Sequence, residues 1–341
     1  MPTMLGTHEP LSRRPLRPSG PIPRRGRLVG ELRPPRPDLD FASVATRRLL
    51  ETSFATRPPS SSPRVESLPP VIHTSRIAED DRLRSDYVRQ LVQEAGPAGA
   101  PSVPVTIPKV IFQYWHDPDA IPADVRECLD SWEPLMKQGF QRLLFDDQEA
   151  RRLISKRFGP PYVAAFDRCQ HPAMRCDYFR LCYMVDRGGF YVDADEVYQG
   201  ADCHTLLRDN NLKIQPLCYD QLTDTMVEAA VFLESRAYSP DWIFYINNNP
   251  LVAPAGHPVL RLALARSTGL LLRDGRNRLD IQSTTGPGNF TASVVRHAID
   301  SDRGGKNRDF SFLGNWETIS VSRWPLSYRE DDRNWRLWRS N

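Results

Sequence analysis

Residues 187–197 read RGGFYVDADEV: two glycines, a short apolar run, then three acids within four positions. The run Phe190-Tyr191-Val192 has the composition of a β-strand, and it leads straight into negative charge. A buried carboxylate is costly unless something pairs with it. Pleated alternation puts Asp193 and Asp195 on one side and Glu196 on the other, out of the site. Two carboxylates converging at a strand end repel unless they are protonated or bridged by a cation. Hard oxygen ligands in that position suit Mg2+ or Mn2+, whose open positions substrate phosphates commonly fill.

The preceding segment, HPAMRCDYFRLCYMVDRGG, predicts a helix that opens at Pro172 and closes at Gly188. Met174, Tyr178 or Phe179, Leu181 and Val185 form its core face, while Asp177 and Arg180 are three apart and share another. Outward from this unit the chain alternates. Lys109–Tyr114 is a predicted strand that ends at Trp115 and Asp117, followed by a helix over 124–132 that Pro134 breaks. FQRLLFDD is a strand that ends in Asp146 and Asp147, and DQEARRLISKRF is a helix with Ala150, Leu153 and Ile154 inward. This order predicts an α/β fold with a largely parallel central sheet, and ligands at the carboxyl ends of its strands.

Residues 1–75 form an Arg-, Pro- and Ser-rich tail with 12 Arg, no Lys and 6 acids up to residue 70. Such a composition predicts disorder. A helix is expected around 80–96, with Leu83, Tyr87, Val88, Leu91 and Val92 on its buried face. A linker to residue 104 and one domain over 105–341 follow. The net charge of +3 and the lack of interleaved aromatics argue against a nucleic-acid partner. No apolar run is long enough to span a membrane. The six cysteines contain no CxxC pair and read as reduced, packed thiols, which also argues against zinc. The expected location is cytoplasmic, or a host cell for a secreted effector.

IPKVIFQYW (107–115), RCDYFRLCYMVDRGGFYVDAD (175–195), NNPLVAPAGHP (248–258) and TTGPGNF (284–290) together resemble the nucleotide-sugar glycosyltransferases that carry the DXD sugar-binding motif. That group includes yeast-type initiating mannosyltransferases, bacterial capsule enzymes and, more distantly, the large clostridial glucosylating toxins. The resemblance implies a GT-A fold and a retaining, metal-dependent transfer from a UDP-sugar, or less readily a GDP-sugar, to a glycan or protein acceptor. It makes Asp177, Arg180, Asp193 and Asp195 the catalytic set. Trp115 would border the nucleotide base, Asp177 and Arg180 would hold the sugar hydroxyls, and Arg180 would also lie near the phosphates. Tyr191 would sit by the ribose, Asp193 by ribose or sugar, and Asn248 by the sugar. His257 reads as a helix start and Thr285–Pro287 as a supporting turn. The chain departs from the pattern at WPLSYREDDRNWRLWRSN (324–341), where Tyr328 replaces an expected His and Asn334-Trp335 an expected Ser-Trp. Asn334 would join Asp195 and Asp193 as a ligand of Mn2+ or Mg2+, and Trp335 or Trp338 would form a lid over the donor.

Two rivals exist. FYVDADEV also satisfies the D-x-D-x-[TV] pattern of haloacid-dehalogenase-like phosphatases. There Asp193 would be the nucleophile, and a lysine, Lys213 or Lys306, would be required. A catalytically degenerate sugar-nucleotide-binding protein is the other.

Overall fold

The computed structural model describes residues 74–95, 104–234, 237–273 and 280–337. The expected disordered tail up to residue 73, most of the linker and Trp338 lie outside the described residues. Helix α1 (Thr74–Glu94) docks on the domain through Val88, Leu91 and Val92. Leu83, expected on that face, is 61% exposed. The inward stripe instead starts with Arg84 and Ser85, and Ser85 Oγ accepts the backbone N–H of Phe244 at 2.8 Å. No described helix is long and apolar enough to cross a membrane.

The domain opens with β1 (Val110–Tyr114), α2 (Ala123–Asp130), β2 (Gln141–Phe145), α3 (Asp147–Arg157), α4 (Pro160–Asp167), α5 (Pro172–Asp186) and β3 (Gly189–Tyr191). Next come β4 (Glu196–Tyr198), β5 (Leu212–Ile214), β6 (Pro216–Asp220), β7 (Thr225–Val227) and α6 (Ala229–Leu233). The chain continues through β8 (Trp242–Ile246), β9 (Leu251–Ala253), α7 (Pro258–Leu272), α8 (Ile281–Thr284) and α9 (Pro287–Arg303), and ends with β10 (Phe310–Phe312) and β11 (Ser320–Ser322).

The central sheet has the order β10-β5-β9-β3-β1-β2. Five strands share one direction and β9 runs against them. This is the mixed α/β architecture with a mostly parallel sheet that the alternation predicts. Small antiparallel sheets, β7-β6-β8 and β11-β4, flank it. The reversal of β9 matters for function: its beginning, not its end, lies at the carboxyl edge, so Asn248 and Asn249 arrive beside the residues that leave β3.

Helix α5 is buried on nearly every side, not on one face only, because α7 covers its outer surface while the sheet covers the inner. Its Phe179 and Tyr183 interlock with Phe112 and Phe145 of the sheet, with Phe145 and Phe179 ring centroids 5.0 Å apart. The helix ends where expected. Gly188 has φ +68°, and a Cβ there would stand 2.5 Å from the nitrogen of Ala255. Only glycine permits both that conformation and that approach. All six cysteines are free, as their spacing predicts.

Candidate active site

A cavity of ≈720 Å3 opens at the carboxyl edge of the sheet. Its floor is built by the amino-terminal half of α5, the turn that leaves β3 and the asparagines before β9. Asp177 is buried there. Its Oδ1 accepts from Asn248 Nδ2 at 2.9 Å, and its Oδ2 accepts from Thr285 Oγ1 at 3.2 Å. The turn expected to support the site thus touches its central acid. Burial pushes the Asp177 carboxyl up to about 6 against the pull of Arg180, which is 2.9 Å away.

Arg180 is 4% exposed and reaches Asp193 at 3.0 Å, while it donates to the Asn248 carbonyl at 2.8 Å. Burial opposes its charge, but Asp193 and its other neighbours hold its pKa well above the ordinary value. The guanidinium lies 4.2 Å from the centre of the Tyr191 ring. Tyr191, expected beside a ribose, is fully buried against Arg180, and its hydroxyl donates to Asp193. Its role is to position those two side chains.

Asp195 belongs to a different pair. Tyr328 Oη donates to its Oδ2 at 2.9 Å, and Arg329 forms an ion pair with the same oxygen. Burial raises the Asp195 pKa, Asp193 adds to the rise, and Arg329 opposes it.

Asp193, Asp195 and Asn334, expected as ligands of a divalent ion, each meet a partner within the protein. Asp193 faces Arg180, and Asp195 faces Arg329. Asn334 Nδ2 donates to the Arg329 carbonyl at 2.7 Å, and its Oδ1 accepts the Arg336 N–H at 3.1 Å. No group of three or more His, Cys, Asp or Glu gathers among the described residues. The local reason is that β3 stops at Tyr191. Residues 193–196 form a turn in which the Glu196 N–H donates to the Asp193 carbonyl at 3.3 Å. Strand alternation does not extend through it, and Asp193 and Asp195 each meet their own arginine.

The same turn corrects the expectation for Glu196. Its side chain is 4% exposed and lines the cavity, where it accepts from Asn249 Nδ2 at 3.0 Å. Asn249 Oδ1 in turn accepts the Asp193 N–H at 2.9 Å. The sequence reading missed Asn249, although a run of three asparagines before an apolar strand is a visible signal.

Trp115 lines the cavity and meets the Tyr328 ring edge-on at 5.4 Å. Trp335 also lines it, with the Arg336 guanidinium 4.5 Å from its ring. Asp117, Asp146 and Asp147 do not form part of the floor. Asp117 caps a 3-10 turn, Asp146 caps α3, and Asp147 accepts from Arg175 at 2.9 Å. His257 caps α7, as expected. The phosphatase pattern lacks its lysine: Lys213 is paired with Asp209, and among the described residues no lysine lines the cavity. The C-terminal segment adds Arg329, Arg333 and Arg336 to the lining.

No protein-family model matches the chain. It is 25% identical over 205 residues to the initiation-specific alpha-1,6-mannosyltransferase of Schizosaccharomyces pombe, covering 55% of this chain and 48% of that protein. The protein of the same name from Candida albicans is 22% identical over 247 residues, covering 64% and 62%. An uncharacterized glycosyltransferase of Acanthamoeba polyphaga mimivirus is 27% identical over 92 residues, covering 27% and 36%. The chain spans about half the length of these curated relatives. Among solved structures, the PaToxG glycosyltransferase aligns with a TM-score of 0.39 and 13% identity, covering 76% of this chain and 95% of that one. The chain is thus similar to proteins named as glycosyltransferases, two of them mannosyltransferases.

Proposed function

We propose that this chain is a glycosyltransferase that moves a sugar from a nucleoside diphosphate donor, a UDP-sugar before a GDP-sugar, to a glycan or protein acceptor. The observation that carries the proposal is the buried Asp177–Arg180–Asp193 array at the carboxyl edge of the sheet, in a cavity of ≈720 Å3. Similarity to mannosyltransferases supports it.

In this reading Asp177 and Asn248 hold the donor sugar's hydroxyls, and Trp115 borders the base. Arg180 is fixed by two carboxylates, a carbonyl and the Tyr191 ring, so it meets the diphosphate with no reorganisation. A fixed set of N–H donors of this kind lowers the energy of a transition state in which negative charge develops on the leaving group. The attacking group is an acceptor hydroxyl, and transfer retains the anomeric configuration by front-face attack. No enzyme base is assigned.

The test is a panel of UDP- and GDP-sugars with the full chain, with Mn2+ in one series and EDTA in the other. The expected result is slow release of the nucleoside diphosphate from one donor, reduced at least about 100-fold in Arg180→Ala. Mass spectrometry of lysate proteins after incubation would reveal an added hexose or N-acetylhexosamine. A panel with neither binding nor turnover in either series would remove the proposal. Turnover of an aryl phosphate, lost in Asp193→Asn, would favour the phosphatase instead.

A further inference from the structure

We propose that Arg329 is the cation that serves the donor's diphosphate, so that transfer by this chain runs without a divalent ion. The proposal rests on the glycosyltransferase reading above. The resemblance leads one to expect a metal at Asp195, and the structure holds a guanidinium there. Arg329 pairs with Asp195 Oδ2 through one terminal nitrogen, and Tyr328 donates to the same oxygen. The Trp324 ring lies 3.7 Å from the guanidinium carbon. An arginine carries five N–H donors, and here Nε is buried with no hydrogen-bond partner. The side chain is 10% exposed and lines the same cavity as Arg180.

The segment that carries Arg329 is built to hold it still. Residues Ser327–Glu330 form a 3-10 turn. The Ser327 N–H donates to Asp124 Oδ2 at 2.6 Å and Ser327 Oγ to Asp124 Oδ1 at 3.0 Å. Asn334, expected as a metal ligand, instead fixes the Arg329 carbonyl at 2.7 Å. Arg336 lies 5.6 Å from the Trp324 ring, so a second guanidinium shares this wall. With one carboxylate, Asp195, set against two guanidiniums, this wall keeps a net positive charge that suits an anion such as a diphosphate. A divalent ion at Asp195 would have to displace a buried, hydrogen-bonded guanidinium and would meet its repulsion.

The step balances without a metal. The acceptor oxygen forms its bond to the anomeric carbon as the bond from that carbon to the β-phosphate oxygen breaks. The electron pair remains on the phosphate oxygen, and the acceptor's proton passes to it. Glycosylated acceptor and nucleoside diphosphate leave. Arg329 and Arg180 carry the positive charge that this oxygen and its phosphate need.

The experiment measures nucleoside diphosphate release by the full chain from the UDP- and GDP-sugar panel, in metal-free buffer with EDTA and again with Mn2+. Wild-type turnover is expected to agree within about twofold between the two. Arg329→Ala should lose about 100- to 1000-fold in kcat and recover in part with added guanidinium chloride, while Arg329→Lys falls between. Turnover abolished by EDTA and restored by Mn2+ overturns this proposal and leaves the glycosyltransferase reading standing. So does an Arg329→Ala variant faster than wild type, which would make Arg329 a plug. If Arg329→Ala does not fold, the wild-type EDTA comparison decides alone. Absence of binding and turnover with every donor, with and without Mn2+, removes both.

Discussion

Replacing Glu196 by Gln tests whether the cavity wall carries a neutral acid. Ser320 Oγ lies 2.5 Å from Glu196 Oε2 and 3.2 Å from the Val197 carbonyl. A hydroxyl has one proton. Ser320 donates it to Glu196 Oε2, which favours the ionised carboxyl, but burial outweighs that pull. Burial, followed by the charge of Asp195, raises the Glu196 pKa from 4.5 to about 8. The unfolded chain therefore ionises this group where the folded chain still holds the proton. Folded stability falls as pH rises between those values, by about 1.4 kcal/mol per pH unit. Gln keeps the shape, donates to Ser320 and accepts from Asn249 at every pH. Its advantage over Glu should be about 1 kcal/mol at pH 5 and about 3 kcal/mol at pH 7. Urea unfolding followed by tryptophan fluorescence at pH 5, 7 and 8.5 measures the gap. A gap that stays constant across this range, or a variant weaker than wild type at pH 7, refutes the reasoning.

Gly188→Ala should destabilise the fold by roughly 2–4 kcal/mol, because the new methyl carries both a left-handed backbone strain and a clash with the chain at Ala253–Ala255; a loss under ~1 kcal/mol in urea unfolding would contradict the packing described. Asp177 with a pKa raised to about 6 by burial must be ionised to hold Arg180. Turnover should therefore fall as pH drops below about 6, whereas Asp177→Asn should be slow and flat over the same range. An unchanged acid limb in that variant would show that another group titrates.

What could be read in the sequence was what the chain decides locally. Proline at the first turn of α5, glycine at its end and an apolar triplet after it are signals within a few residues, and each formed as expected. Alternation along β3 failed because a strand of three residues ends before the acids begin, and a turn has no period of two. The remaining misses are contacts between distant segments. Asn249 bonds to Asp193 across 56 positions, and Arg329 to Asp195 across 134. No local pattern encodes either.

A D-x-D at the end of a strand states only that two carboxylates need positive charge. It does not state which cation supplies it. In this structure Asp195 meets Arg329, the residue after Tyr328, which stands where a ligand is expected. A hydroxyl donor and a guanidinium both meet Asp195 there. They neutralise one oxygen and order the chain above it. The replacement at Tyr328 is visible in the sequence, but its meaning depends on Arg329. Both side chains reach the same carboxylate oxygen, so the two residues form one device and should be tested together.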